Sequence, residues 1–173
     1  KFTKSADTLC GPATVSFTNI SVPLNAINGT SYSWNFGDPA SGALNTSILA
    51  QPPPFLYNPG PNNTEKRYYI TLTATTACQT VVYTDSVLIR PKPKALFQTD
   101  TTVYCSPATM RFRNNSLGVN NAVFGSSNYF IWDFGAGDRE TVYDLRTMTR
   151  TFTTGITRTI TVKLFAFNEC GSD

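Results

Sequence analysis

The stretch "YSWNFGDP", Tyr32 to Pro39, is echoed by "FIWDFGAGD", Phe130 to Asp138. Each sets a tryptophan, an amide or acid, a phenylalanine and a glycine just before a polar turn. Tyr32, Trp34 and Phe36 alternate with small or polar residues, and so do Phe130, Trp132 and Phe134. Period-two alternation of this kind predicts a half-buried β-strand with the aromatics turned inward. A motif met twice poses the choice between a repeated site and a repeated piece of core.

The repetition reaches well beyond the tryptophans. "CGPATVSFTNIS" at Cys10 to Ser21 matches "CSPATMRFRNNS" at Cys105 to Ser116, at an offset of 95. Trp34 and Trp132 are 98 apart, and "YITLTATTAC" ending at Cys78 matches "TVKLFAFNEC" ending at Cys170, 92 apart. The order of landmarks is constant while the loops between them change length, as in two copies of one domain. Ile70, Leu72 and Ala74 share a face, as do Val162, Leu164 and Ala166, and Val15 and Phe17 alternate with polar neighbours. No stretch carries a helical stripe. β-branched and aromatic residues fill the periodic runs, and Gly, Pro and Asn fill the gaps. The expected fold is all-β: two tandem immunoglobulin-like antiparallel β-sandwiches. The domains are expected at residues 1–91 and 94–173, joined through "IRPKPKALF", whose Pro91 and Pro93 stiffen the connection. After Cys78 the first copy continues through "TVVYTDSVLIR", whereas Cys170 is followed by Gly171, Ser172 and Asp173. The last strand of the second copy is therefore expected to be missing, and the chain is read as a segment of a longer protein.

Composition narrows the function. The 173 residues are 40% hydrophobic and 13% aromatic, enough for packed cores, but only 14% are charged. A net charge of +3 with no long basic run gives no footing for nucleic acid. No apolar run approaches the roughly 18 residues of a membrane span. Histidine is absent, which removes the commonest general base and the Ser-His and Cys-His nucleophilic arrangements. No enzyme is expected, and no cofactor or metal.

The four cysteines fall two to each copy. The repeat predicts pairing of Cys10 with Cys78 and of Cys105 with Cys170, against a Cys78–Cys105 rival. Closing a loop of this length is worth roughly 4 kcal/mol on the chain-entropy model. Disulfides place the chain in an oxidising compartment, hence outside the cell. Cys10 lies in "LCGP", read as a turn.

The motifs "WNFGDP" with "YYITLTATT", and "WDFGAGD" with "TITVKLFAFN", resemble the signature of the PKD domain, an immunoglobulin-like sandwich. The resemblance covers essentially the whole chain. It departs at Asn35, where the signature has an acid, and at "GAGD", where "GDG" is usual. The stretch before each tryptophan is similar to tandem PKD repeats of very large Bacteroidota surface proteins, among them gliding-motility adhesins exported by type IX secretion. The resemblance implies a non-catalytic spacer or adhesion module at the cell surface, associated with a Gram-negative outer membrane. Its partners would be neighbouring domains of the same long chain and a surface polysaccharide or other adhesion ligand. The alternative it implies is a polysaccharide-binding accessory of a secreted hydrolase.

Several residues remain to be weighed. Asp133 stands opposite Asn35, so the signature acid cannot be a shared catalytic base. Asp38 and Asp138 are expected to close their turns by bonding their own backbone, with calcium as the other use of such carboxylates. Phe165 and Phe167 replace Thr73 and Thr75 on the outward face and are candidate interaction residues. Arg111 and Arg113 replace Ser16 and Thr18, but the second copy balances eight basic residues with seven acidic ones, so a mixed solvated surface is expected. Asp7-Thr8, Asp85-Ser86 and Asp100-Thr101 open three-residue motifs like those of Bacteroidota O-glycosylation, which would modify Thr8, Ser86 and Thr101.

Overall fold

In a computed structural model of the chain, which describes residues 1–22, 29–100, 102–119 and 128–173, the sequence folds into two compact all-β units. The first comprises Lys1–Gly60 and Glu65–Arg90; the second comprises Pro61–Thr64 and Pro91–Asp173.

The first unit is built from β1 (Phe2–Lys4), β2 (Thr8–Gly11), β3 (Ala13–Val15), β4 (Phe17–Asn19), β5 (Ser31–Asn35), β6 (Thr46–Ser47), β7 (Phe55–Tyr57), β8 (Lys66–Thr75) and β9 (Thr80–Pro91). One layer pairs β1 with β4 and β3 with β7; the other runs β2-β9-β8-β5-β6. The second unit holds β10 (Phe97–Thr99), β11 (Ala108–Asn114), β12 (Tyr129–Asp133), β13 (Arg139–Val142), β14 (Thr147–Phe152), β15 (Lys163–Asn168) and β16 (Gly171–Ser172). Its layers are β10-β11-β14 and β13-β12-β15-β16.

The two units repeat one plan. Phe2 pairs with Asn19 as Phe97 pairs with Asn114. Ala13 pairs with Tyr57 as Ala108 pairs with Phe152. Trp34 pairs with Leu72 as Trp132 pairs with Leu164. In each unit the alternating apolar residues of both layers meet in one core. Phe2, Val15, Phe17 and Tyr57 close over Trp34, Phe36, Ile70 and Leu72 in the first. Phe112 and Met148 close over Phe130, Trp132, Phe134 and Leu164 in the second. Trp34 and Trp132 are fully buried, and each stacks on the phenylalanine two residues later. Burying each such ring and its neighbours is the main force holding the layers together.

The strands and turns add detail to the expected plan. The second unit does begin a last strand: β16 lies beside β15, with Phe167 opposite Ser172, in the place β9 takes beside β8. A short 3-10 segment, Pro39–Asn45, follows the first tryptophan strand, interrupted at Gly42 by a positive φ of 59°. Cys10 lies on strand β2, and not in a turn.

The cysteine pairing is the largest correction. Cys10 and Cys170 are disulfide-bonded, whereas Cys78 and Cys105 are free and exposed. The expected Cys10–Cys78 and Cys105–Cys170 bridges are not formed, and neither is the Cys78–Cys105 rival. Strand geometry gives the reason. The Asp7 carbonyl accepts a hydrogen bond from Leu88 N–H at 2.8 Å, so Cys10, three residues on, lies near the end of β9. Cys78 sits in the β8–β9 turn, ten residues before Leu88, about 33 Å away along an extended strand. In the second unit, Ser106 Oγ accepts from Thr154 N–H at 2.8 Å, which fixes Cys105 at the start of β11. Asn168 Nδ2 donates to the Gly118 carbonyl at 2.9 Å, which fixes Cys170 beyond its far end. Seven residues of β11 separate the two places, some 20 Å. A disulfide needs Cα atoms within about 7 Å.

Candidate functional site

The repeated turn comes first. Asn35 Oδ1 accepts from Gly37 N–H at 2.8 Å, and Asp133 Oδ1 accepts from Gly135 N–H at 3.0 Å. The role expected of Asp38 and Asp138 therefore belongs to the residue after each tryptophan. An amide oxygen and a carboxylate oxygen accept this bond equally well, which is why the two copies differ there without differing in shape. The glycines have positive φ, 77° at Gly37 and 88° at Gly135, as the turn requires. At Gly37 a side chain would also strike the Tyr69 backbone.

Asp38 is put to another use. It is buried, its N–H donates to Asn45 Oδ1 at 2.7 Å, and its carboxylate lies 3.4 Å from Lys66 Nζ. Burial first, and then the nearby Asp38 charge, push the Tyr57 phenol far above its usual range. Tyr57 stays neutral, and its hydroxyl donates a hydrogen bond to the Phe36 carbonyl at 2.8 Å. Asp138 is exposed and closes its turn through the backbone, with Phe134 N–H donating to its carbonyl at 2.8 Å. The Asp133 carboxyl is held below the usual range by the Gly135 N–H first and Arg139 second. These are structural acids, each engaged with its own turn or a neighbouring cation. Among the described residues no group of three or more His, Cys, Asp or Glu side chains converges on one point.

Lys4 has no signal in the sequence. Its side chain is 7% exposed, and its Nζ sits 2.9 Å from Asp7 and 2.7 Å from Asp85. Burial works against its charge, but the Asp85 and Asp7 contacts outweigh it and raise the pKa. The Lys4 hydrogen bond in turn lowers that of Asp85. Both acids are the first residues of the modification-like triplets. Thr8 is exposed on β2; Ser86 is half-buried on β9 and accepts from Arg67 at 3.2 Å. Thr101 lies outside the described residues.

The outward face of the β12–β15 sheet is the strongest candidate surface. Phe165 and Phe167 point away from the core and are half-buried. Phe167 stacks on Tyr129, with centroids 4.4 Å apart and planes at 5°. Ile131 lies opposite Phe165, and the exposed Tyr143 ring is 6.4 Å from Tyr129. Tyr129 and Ile131 were legible by the same alternation that places Trp132 inside. In the first unit the corresponding positions are Ser31, Ser33, Thr73 and Thr75. The sandwich forms without aromatics there, so the fold does not require them. Three arginines of this unit have acidic partners: Arg139 pairs with Asp133 at 2.8 Å and Arg146 with Asp144 at 2.6 Å. Arg150 pairs with Glu140 and lies 4.7 Å over the Phe134 ring. Arg111 and Arg113 are exposed.

No helix of the described residues is long and apolar enough to cross a membrane. No protein-family model matches the chain, and no curated protein matches it. Among solved structures the chain is similar to one described as "Crystal structure of chicken CNTN1 FN1-FN3 domains", at 11% identity and a TM-score of 0.30. That match covers 92% of this chain and spans 55% of the other. A likeness at that level adds nothing to the two sandwiches seen directly in the sheets.

Proposed function

We propose that the chain is a pair of PKD-like domains serving as a non-catalytic extracellular spacer and adhesion module, within a long surface-anchored protein of the type IX-secreted kind. The observation that carries this reading is the building of one sandwich twice, each copy with its own aromatic core and a Ser-, Thr- and Asn-rich exterior. The signature residues Trp34, Asn35, Phe36 and Gly37, with Trp132, Asp133, Phe134 and Gly135, serve core and turn. The disulfide fits an oxidising, extracellular setting. A spacer must yield in discrete steps under load. Stretching the reduced chain by its ends is expected to give two unfolding events, each releasing on the order of 27 nm for a domain of some 80 residues. A single featureless extension would overturn the reading.

A second reading has one specific observation in its favour. The Tyr129–Phe167 stack, flanked by Ile131 and Phe165, offers a flat apolar platform of the kind on which a sugar ring packs. This is the polysaccharide-binding alternative. Binding on a glycan array that disappears in the Phe165→Thr/Phe167→Thr variant, with folding unchanged, is its expected result. Equal binding by the variant would reject it.

A further inference from the structure

The chain holds one Asp-Pro bond, Asp38–Pro39, and the first unit sets reactive groups around it. Asp38 is buried, with its N–H held by Asn45 Oδ1 at 2.7 Å. Its backbone carbonyl accepts two hydrogen bonds from one residue, Ser41 N–H at 3.0 Å and Ser41 Oγ at 2.7 Å. Two donors on one carbonyl oxygen draw electrons from the carbonyl carbon, and they are already in place for an oxyanion formed there. Lys66 Nζ lies 3.4 Å from Asp38 Oδ1 and 4.3 Å from the centre of the Tyr68 ring. Burial works against the Lys66 charge, but Tyr68 and Asp38 outweigh it and raise the pKa. Pro39 is exposed and its nitrogen carries no hydrogen, so no hydrogen bond ties that nitrogen to the fold. The matching turn of the second unit lacks the arrangement: Asp138 is exposed and is followed by Arg139.

We propose that Asp38–Pro39 is a self-cleaving bond and that Lys66 captures the new acyl end as an isopeptide. The Asp38 carboxylate attacks its own backbone carbonyl carbon, closing a cyclic anhydride of the succinic type, and the C–N bond to Pro39 breaks. Ser41 stabilises the oxyanion of the tetrahedral intermediate, and the Lys66 ammonium passes one proton to the departing nitrogen. Lys66, now a neutral amine, attacks the anhydride at the side-chain carbon beside Oδ1. The backbone carboxylate leaves as the amide forms, and the second amine proton also ends on Pro39. One peptide bond is exchanged for one isopeptide bond, charge is conserved, and no water or co-reactant is consumed. Both steps are intramolecular, so fixed proximity replaces a bimolecular encounter. Burial of Asp38 keeps water from competing with Lys66 for the anhydride. The reaction goes beyond the spacer reading and holds without it. Before it occurs the chain stretches as a simple tandem. Afterwards load passes through Lys66 and bypasses residues 39–65, so the first unit releases roughly 9 nm less.

The test follows amino-terminal sequence and intact mass of the full chain at neutral pH, folded and, in parallel, unfolded in guanidinium chloride. A second terminus beginning at Pro39 is expected to appear about 10²-fold faster in the folded chain than in the unfolded one. The intact mass stays that of the uncut chain, and peptide mapping finds Asp38 joined to Lys66. Ser41→Ala is expected to slow the reaction roughly tenfold, part of what an oxyanion donor contributes, and Ser41→Thr to restore it. Calorimetry checks that both variants fold. A Pro39 terminus that forms no faster in the folded chain than in the unfolded one would overturn the proposal. Separation into fragments 1–38 and 39–173 with Lys66 unmodified would overturn it equally.

Discussion

Asn35 and Asp133 present the same kind of oxygen to the same backbone N–H, and the rest of each side chain hardly matters to the turn. Asn35→Asp is therefore expected to leave stability unchanged, while Asn35→Leu costs about 1 kcal/mol because the Gly37 N–H loses its acceptor. Urea unfolding of the two variants checks this, and equal losses would show that the amide has some other role. Asp133→Asn should likewise keep the Gly135 bond and give up only the Arg139 pair. The sequence displayed this exchange openly and used it to exclude a catalytic acid. It did not show which oxygen meets which N–H, since Asn35 and Asp38 are both turn formers and both stand within three residues of the glycine.

At the scale of elements, the two copies diverge in what covers the tryptophan. Trp34 Nε1 donates to the Leu49 carbonyl and Asn19 Nδ2 donates to the Ala50 carbonyl, both at 3.0 Å. The segment leaving β6 thus ties the two layers of the first unit together. Trp132 Nε1 and Asn114 Nδ2, their counterparts, are buried with no hydrogen-bond partner among the described residues. Both Trp→Phe changes open a similar void, but only Trp34→Phe also breaks a bond. Trp34→Phe is expected to destabilise its unit by about 1 kcal/mol more than Trp132→Phe destabilises the other, as read by calorimetry; equal losses would mean the Leu49 bond contributes nothing. A second device ties the corner between β1 and β2 to β9. Lys4 holds Asp7 and Asp85 there, and Lys4→Met should cost about 1 kcal/mol at neutral pH. The Asp85 pKa is depressed, so its contribution is complete above the unfolded value near 3.9 and fades as pH falls through the folded one. The Lys4 pKa is raised, so its contribution is complete below about 10.4 and fades as pH rises through the folded value. Thermal melts of wild type and variant from acid to alkaline pH should show a constant gap in between that narrows at both ends. A gap independent of pH would assign the loss to packing of the lysine stem. The Lys4 pair was not legible in the sequence, because Lys4 and Asp85 are 81 residues apart and no motif joins them.

Across the whole molecule, the sequence by itself determined that the chain is β throughout and that one sandwich plan is used twice. Alternation of apolar and polar residues sets which face of a strand is buried, and that is a local property. The offsets near 95 between matched landmarks then count the copies. The same alternation put Trp34 and Trp132 inside and Phe165 and Phe167 outside, as the burial pattern has it. Only the tertiary structure decided what depends on strand direction and length. Counting gave each copy two cysteines and invited a bridge within each. The strands carry those two residues to opposite ends of their sandwich, so no bridge forms within a copy, and Cys78 and Cys105 are left as thiols. Residue order states which groups each copy owns. Distance between groups far apart in the chain is fixed by how many extended residues, each advancing about 3.3 Å, lie between the points where strands pair.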